Sequence, residues 1–202
     1  MRKEVRVLQL FFRDISEISE DEFRKAYLLM TPQRKERCRR LCNEKAQKQC
    51  IAADLLMREA LSSVLKIAPE EITVCVAPSG KPYLEGNPVY FSLSHSEDRI
   101  VCAVADHPVG VDIERCRPVS PGIMNRICTP AESEYLSAST SKDDRVRRFL
   151  LLWTRKEAVF KIDGRLPRKD AETEVLNPDE NLSVTTEFSS EYVFSVAIRN
   201  IF

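Results

Sequence analysis

Apolar and polar positions along the chain change period several times, and each change marks a predicted element. The apolar run Val5–Phe11 reads as a short strand. Helical spacing follows over Ser19–Leu29, where Ser19 and Asp21 are both candidate N-caps. A second helix is predicted from Pro32 to about Lys66, opened by Thr31 as N-cap and Pro32 at the first helical position. Its stripe of Ile51, Leu55, Leu56 and Leu61 turns the second half toward a core, while the first half is basic. Ile72–Val76 reads as a strand, and Pro78-Ser79-Gly80-Lys81-Pro82 as a turn by composition.

The most strand-like stretch is Val89–Ser94, Ile100–Ala105 and Val109–Glu114, whose short links predict an antiparallel meander. An acidic helix starts near Thr129-Pro130 and ends between Leu136 and Thr140; a long helix, Lys142 to Ile162, stops at Gly164. Strands Leu182–Phe188 and Val193–Arg199 close the chain. Tyr192–Arg199 matches Arg99–Asp106 in pattern, each behind a strand and a polar turn. A helix followed by a strand pair thus occurs twice. The expected fold class is α+β, with two similar lobes in a pseudo-twofold arrangement. Each lobe would be an antiparallel sheet packed with helices, residues 1–105 forming one and 106–202 the other, with an active site in the cleft between them.

Composition narrows the function classes. Hydrophobic residues make up 43% and charged residues 31%, which excludes a disordered or collagen-like chain. Lys plus Arg and Asp plus Glu both total 31, so no global field draws the chain to a long polyanion or an anionic membrane. No apolar run approaches the roughly 18–20 residues that span a bilayer. Charges interrupt the N-terminal MRKEVRVLQLFFRD, so no signal peptide is expected and the chain reads as cytoplasmic. The seven cysteines are odd in number and form no CxxC pair, so reduced structural thiols are expected over disulfides or zinc.

Charge is uneven locally. Arg34, Lys35, Arg37, Arg39, Arg40, Lys45 and Lys48 crowd one segment, whereas no Lys or Arg occurs between Asp170 and Ile198. The basic segment fits a solvated helix face or a site for a local anion.

Three groups can do chemistry. In Val109-Gly-Val-Asp-Ile-Glu114, alternation puts Asp112 and Glu114 on one strand face, about 6.8 Å apart at the backbone. At an effective dielectric of about 20 their repulsion is about 2.4 kcal/mol. An exposed face with solvated acids would accommodate that, and so would a divalent cation such as Mg²⁺. On the long helix, Trp153, Glu157 and Lys161 share a face at i, i+4 and i+8. Glu157 and Lys161 make either an ordinary surface pair or a metal carboxylate or base with a cation beside it. The latter requires that this face meet Asp112 and Glu114. In Phe91-Ser-Leu-Ser-His-Ser96, His95 is a structural hydrogen-bonder or a phosphate contact at a strand end. No GxGxxG or GxxxxGK[ST] is present, which excludes the Rossmann and P-loop phosphate sites.

Together, GKPYL, FSLSHS, VGVDIER and LWTRKEAVFK, in this order and at these separations, resemble the 4′-phosphopantetheinyl transferase superfamily. Chain length and TPQRKERCRR resemble its surfactin-synthetase-activating (Sfp) type, single chains of two similar lobes. The resemblance implies Mg²⁺-dependent (or Mn²⁺-dependent) transfer of the 4′-phosphopantetheine arm of coenzyme A to a serine of an apo acyl or peptidyl carrier protein, releasing 3′,5′-ADP. It assigns Asp112, Glu114 and Glu157 to the metal, Glu157 also to the general base, and Lys161 to the leaving phosphate. It assigns Lys81 and His95, with Ser94 beside them, to phosphate contacts, and Arg34 and Arg37 to the 3′-phosphate. A monomer that engages neither nucleic acid nor membrane is expected. Two positions depart from the family: Gln49 stands where an Arg is usual, and Asp163-Gly-Arg-Leu-Pro167 is one Gly short of the usual loop. The alternative is a non-catalytic relative that binds coenzyme A or a carrier.

Overall fold

The computed structural model describes residues 8–86, 89–164, 175–178 and 180–200. The chain divides into two compact units, Met1–Asp106 and His107–Phe202. The first begins with strand β1 (Leu8–Asp14), helix α1 (Glu20–Leu29), helix α2 (Pro32–Arg39) and the 22-residue helix α3 (Glu44–Leu65). Short strands β2 (Val74–Val76) and β3 (Pro82–Leu84) pair with each other, and β4 (Tyr90–Ser96) and β5 (Arg99–Ala105) form a hairpin. The sheet order is β1-β5-β4, all antiparallel, with Phe11 opposite Cys102 and Leu93 opposite Cys102 on the other edge.

Helix α3 covers this sheet because its inward positions are small or apolar. Ala52, Ala53, Leu56, Met57, Ala60 and Leu61 bury against Phe91, Ile100, Cys102 and Val104. The local starts follow the sequence signals. Ser19 and Glu22 form a reciprocal capping box on α1, and Thr31 caps α2 with Pro32 at its first turn.

The second unit contains strand β6 (Val109–Arg115), helices α4 (Pro121–Ile127) and α5 (Pro130–Ser137), the 21-residue helix α6 (Lys142–Ile162), and strands β7 (Leu182–Phe188) and β8 (Tyr192–Arg199). Its sheet is antiparallel in the order β6-β8-β7, with Asp112 opposite Ser195 and Ser195 opposite Thr186. Phe149, Leu150, Leu152, Ala158, Val159 and Ile162 of α6 bury with Val193 and Ala197 of β8.

Each unit therefore runs strand, long helix, hairpin, with the last strand in the middle of its sheet. Arg99–Ala105 and Tyr192–Arg199, which matched in pattern, are these two central strands.

Several predictions from pattern need correction. The helix foreseen from Pro32 to Lys66 is two helices, because Asn43 turns extended and caps α3 by accepting from Ala46 N at 2.8 Å. The three-strand meander does not form: both edges of β5 are taken, by β1 and β4, and β6 joins β8 instead. Strand β3 and helix α4 were not foreseen. The first strand runs Leu8–Asp14; Val5, Arg6 and Val7 of the predicted one lie outside the described residues, as do 165–167 of the loop after α6. All seven cysteines are free thiols. Burial pushes Cys38, packed near Cys50, up to about 11. Among the described residues no helix is long and apolar enough to cross a membrane.

Candidate active site

The second unit brings two of the predicted groups together. Gly110, Asp112 and Glu114 share the face of β6 on which α6 lies. A Cβ at Gly110 would stand 1.8 Å from the carbonyl oxygen of Ala158, so only glycine lets the helix backbone come this close. The helix then runs along the strand with its polar face over the carboxylates. Trp153 Nε1 donates to Glu114 Oε1 at 3.2 Å, and Lys161 Nζ donates to Asp112 Oδ1 at 2.6 Å. Glu157 lies one helical turn from each of those two helix residues.

Asp112 is buried, and Glu114, Trp153, Glu157 and Lys161 are half-buried, so this is not a solvated strand face. Burial, with the negative charges of Asp112 and Glu114, pushes the Glu157 carboxyl up to about 7 against the opposing pull of Lys161. A carboxyl so placed is poised near neutrality, which suits proton transfer. Glu157 thus senses both other acids electrostatically. Among the described residues, however, no three His, Cys, Asp or Glu side chains are gathered closely enough to hold a metal ion. Three carboxylates are the hard oxygen donors that suit Mg²⁺. The donor chemistry fits the ion, while at Asp112 the lysine ammonium already sits within hydrogen-bonding distance.

Two buried polar networks fix the pitch and rotation of α6. On one side, Thr154 Oγ1 donates to Leu150 O at 2.8 Å and lies 2.7 Å from Ser195 Oγ, which in turn is 2.9 Å from Thr186 Oγ1. Arg155 closes this chain by donating to Thr186 Oγ1 at 2.8 Å and to Val175 O at 3.0 Å. On the other, buried Lys156 donates to Glu132 Oε2 at 2.6 Å and to Ile127 O at 3.0 Å. Glu132 also accepts from Thr129 N at 2.8 Å, in the capping box that starts α5. None of these six side chains was singled out from the sequence. For Thr154, Arg155 and Lys156 the signal was a polar residue inside the apolar stretch of α6, where satisfaction by distant partners is required.

The first unit carries the other candidates. Lys81 is half-buried just before β3, Ser94 is buried on β4, and His95 is exposed beside it near the end of that strand. Arg34 pairs through Nε with Asp54 Oδ1 at 2.8 Å, and Asp54 Oδ2 accepts from Arg58 Nε at 2.9 Å. Arg58 also donates to the carbonyls of Leu29, Pro69 and Ile72.

Most of the basic segment is likewise engaged. Lys35 donates to Leu28 O, Arg39 to Tyr27 Oη and Arg40 to Glu36; Lys45 pairs with Glu97, and Lys48 with Glu20 and Glu44. Arg37 is exposed, with no side-chain partner among the described residues. Gln49, the position that departs from the family, donates to Glu97 O at 2.8 Å and ties α3 to the β4–β5 turn.

Comparison with known proteins matches both units. Residues 108–196 fit the family model of the 4′-phosphopantetheinyl transferase superfamily, and residues 17–107 fit that of the 4′-phosphopantetheinyl transferase N-terminal region. The chain belongs to the 4′-phosphopantetheinyl transferase superfamily.

Within that superfamily it is 29% identical over 149 residues to the 4′-phosphopantetheinyl transferase Sfp of Bacillus subtilis (strain 168), covering 73% of this chain and 66% of the relative. It is 35% identical over 127 residues to the transferase gsp of Aneurinibacillus migulanus, covering 62% and 52%. The L-aminoadipate-semialdehyde dehydrogenase-phosphopantetheinyl transferase of Schizosaccharomyces pombe is 30% identical over 138 residues, covering 58% and 52%. The chain therefore spans between about half and two-thirds of the length of these phosphopantetheinyl transferases.

Proposed function

We propose that this chain is an active, divalent-metal-dependent 4′-phosphopantetheinyl transferase, moving the phosphopantetheine arm of coenzyme A to a serine of an apo acyl or peptidyl carrier protein. The observation that carries the reading is the seating of α6 on β6, which gives Lys161 to Asp112 at 2.6 Å and Trp153 to Glu114 at 3.2 Å, with Glu157 between. Membership of the superfamily supports it.

In this reading Asp112, Glu114 and Glu157 hold Mg²⁺ or Mn²⁺, which when bound neutralises diphosphate charge. The Glu157 carboxylate takes the proton of the carrier serine. The serine oxygen attacks the phosphorus that bears the pantetheine arm. The bond from that phosphorus to the bridging oxygen breaks, and 3′,5′-ADP leaves with the electron pair. Lys161 offers its ammonium to the departing phosphate. Residues 1–105 supply the coenzyme contacts, with Lys81, Ser94 and His95 on phosphate oxygens and Arg37 on the 3′-phosphate. Arg34 keeps its assignment to that phosphate while its Nε is engaged by Asp54. Residues 106–202 supply the carboxylates. The protein acts as a cytoplasmic monomer with no nucleic-acid partner.

The test is intact-mass spectrometry of an apo carrier protein incubated with the chain, coenzyme A and Mg²⁺. A gain of one phosphopantetheine, lost with EDTA and with Glu157→Gln, is expected. Carriers left at their apo mass, across several unrelated examples, would sink the proposal.

A further inference from the structure

We propose that Cys38 and Cys50 form a dithiol site, oxidised reversibly to a disulfide that staples α2 to α3 by exchange with a small-molecule disulfide of the glutathione class. The corner between the two helices brings both thiols together. Cys38 Sγ donates to Gln47 O at 3.7 Å, which sets it against the first turn of α3. Cys50 follows Gln47 by three residues on the same helix face, and a helical side chain leans back over the turn before it. The two thiols meet there, near enough to share a hydrogen bond. The corner is held by its backbone as well: Gln47 Nε2 donates to Leu41 O at 3.2 Å, and Leu41 N donates to Cys38 O at 3.1 Å.

The two thiols differ in access, and that orders the exchange. Cys50 is half-buried, whereas Cys38 is 3% exposed and burial pushes its thiol up to about 11, so it stays protonated near neutrality. Cys50 therefore loses its proton first, and its sulfur attacks one sulfur of oxidised glutathione. The disulfide bond breaks, and one glutathione thiolate leaves with the electron pair. Cys38 then gives up its proton and attacks the Cys50 sulfur of the mixed disulfide, releasing the second glutathione thiolate. Two protein thiols are oxidised by two electrons, one small disulfide is reduced to two thiols, and both protons end on those thiols. Cys38 needs no access to solvent for its step, because Cys50 carries the reacting sulfur to it. In a compartment kept reducing, such a bond is transient, as a redox-sensing pair requires. Neither thiol belongs to the carboxylate site, so the proposed transferase activity stands or falls separately.

The full chain, reduced and then freed of reductant, is incubated in its folded state with oxidised glutathione. Remaining thiols are blocked with N-ethylmaleimide, and a tryptic digest is read by mass spectrometry. Trypsin cuts after Arg37, Arg39, Lys48 and Arg58, so the expected product is the dipeptide Cys38-Arg39 joined to the peptide Gln49–Arg58. Its mass should be about 2 Da, two hydrogens, below the sum of the two peptides. Dithiothreitol and Cys50→Ala should each abolish the product, and Cys42→Ser should keep it. The oxidised chain should melt at least about 4 °C above the reduced one, a shift that Cys50→Ala lacks.

Absence of the linked peptide overturns the proposal, as does a mixed disulfide on Cys50 that Cys38 never resolves. A link made through exposed Cys42 in place of either thiol overturns it too. So does a link between Cys38 and Cys50 that leaves Tm unchanged or lowers it, since the bond would then form only by pulling α2 out of its seat on α3.

Discussion

Gly110 of β6 lies against the backbone of Ala158 in α6, so close that a methyl group would stand 1.8 Å from the Ala158 carbonyl oxygen and 3.0 Å from Ile162 N. This contact sits on the same strand face as Asp112 and Glu114 and beside Glu157 on the helix. The separation of strand from helix at this point sets how far Lys161 and Trp153 must reach. A glycine within a motif is usually credited with conformational freedom. Here it supplies a short interaxial distance, and the site geometry depends on it.

Gly110→Ala is therefore expected to cost about 3 kcal/mol or more, at or beyond the upper end for overpacking, because the clash is with backbone. Urea denaturation followed by circular dichroism gives the figure. An unchanged midpoint would show that α6 can lift off β6 freely. Under the proposed function, carrier-protein modification should fall further than the folded fraction does, since the residual fold would hold Glu157 and Lys161 away from Asp112.

The buried Lys156–Glu132 pair fixes α6 from its other side. Lys156→Met leaves Glu132, 1% exposed, without its cation, and should destabilise the chain by about 3–5 kcal/mol. Lys156→Met combined with Glu132→Leu removes both charges and should recover most of that loss. A double variant no more stable than Lys156→Met, by the same denaturation measurement, would mean that the carbonyl contact to Ile127 and the α5 cap carry the cost instead.

Much of this was legible in the order of residues. The period of Lys142–Ile162 and its stop at Gly164 gave a helix whose observed bounds are the same, because caps and apolar stripe agree there. Asp112 and Glu114 were readable as a pair from strand alternation alone. What the pattern could not carry was pairing between distant segments. Val109–Glu114 has the composition to extend the preceding hairpin, and only the occupation of both edges of β5 sends it to β8. The break at Arg40–Asn43 has no Gly or Pro to announce it, and its one signal, Asn43 before Glu44, is also compatible with a continuous helix. Lys156, next to Glu157, carries no local signal of its burial, since its partner lies 24 residues away and comes close only through the packing of α5 on α6.

Arg34 and Arg37, three residues apart on α2, should separate cleanly. Arg34 is tied to buried Asp54, so Arg34→Ala should cost about 1–3 kcal/mol of stability by leaving that carboxylate to Arg58 alone. Arg37 is exposed and partnerless among the described residues, so Arg37→Ala should leave the unfolding midpoint nearly unchanged. Under the proposed function it should weaken coenzyme A at least tenfold and 3′-dephospho-coenzyme A far less, read by calorimetry. Equal loss for both ligands would remove Arg37 from the 3′-phosphate.

The acid limb of stability offers a test independent of the site. The Ser19 backbone N–H and hydroxyl, with the Arg13 guanidinium, lower the Glu22 carboxyl from its ordinary 4.5 to about 2. A carboxyl depressed on folding binds its proton more readily in the unfolded chain. Its contribution is therefore complete above about pH 4.5 and is lost as pH falls toward about 2. Glu22→Gln removes this titration, along with the ion pair to Arg13. The variant should be less stable than wild type at pH 7, and the gap should narrow steadily through that acid window, as followed by urea midpoints at a series of pH values. A gap that stayed constant from pH 7 to pH 2 would show that the capping box stabilises α1 through hydrogen-bond geometry alone, with no contribution from the carboxylate charge.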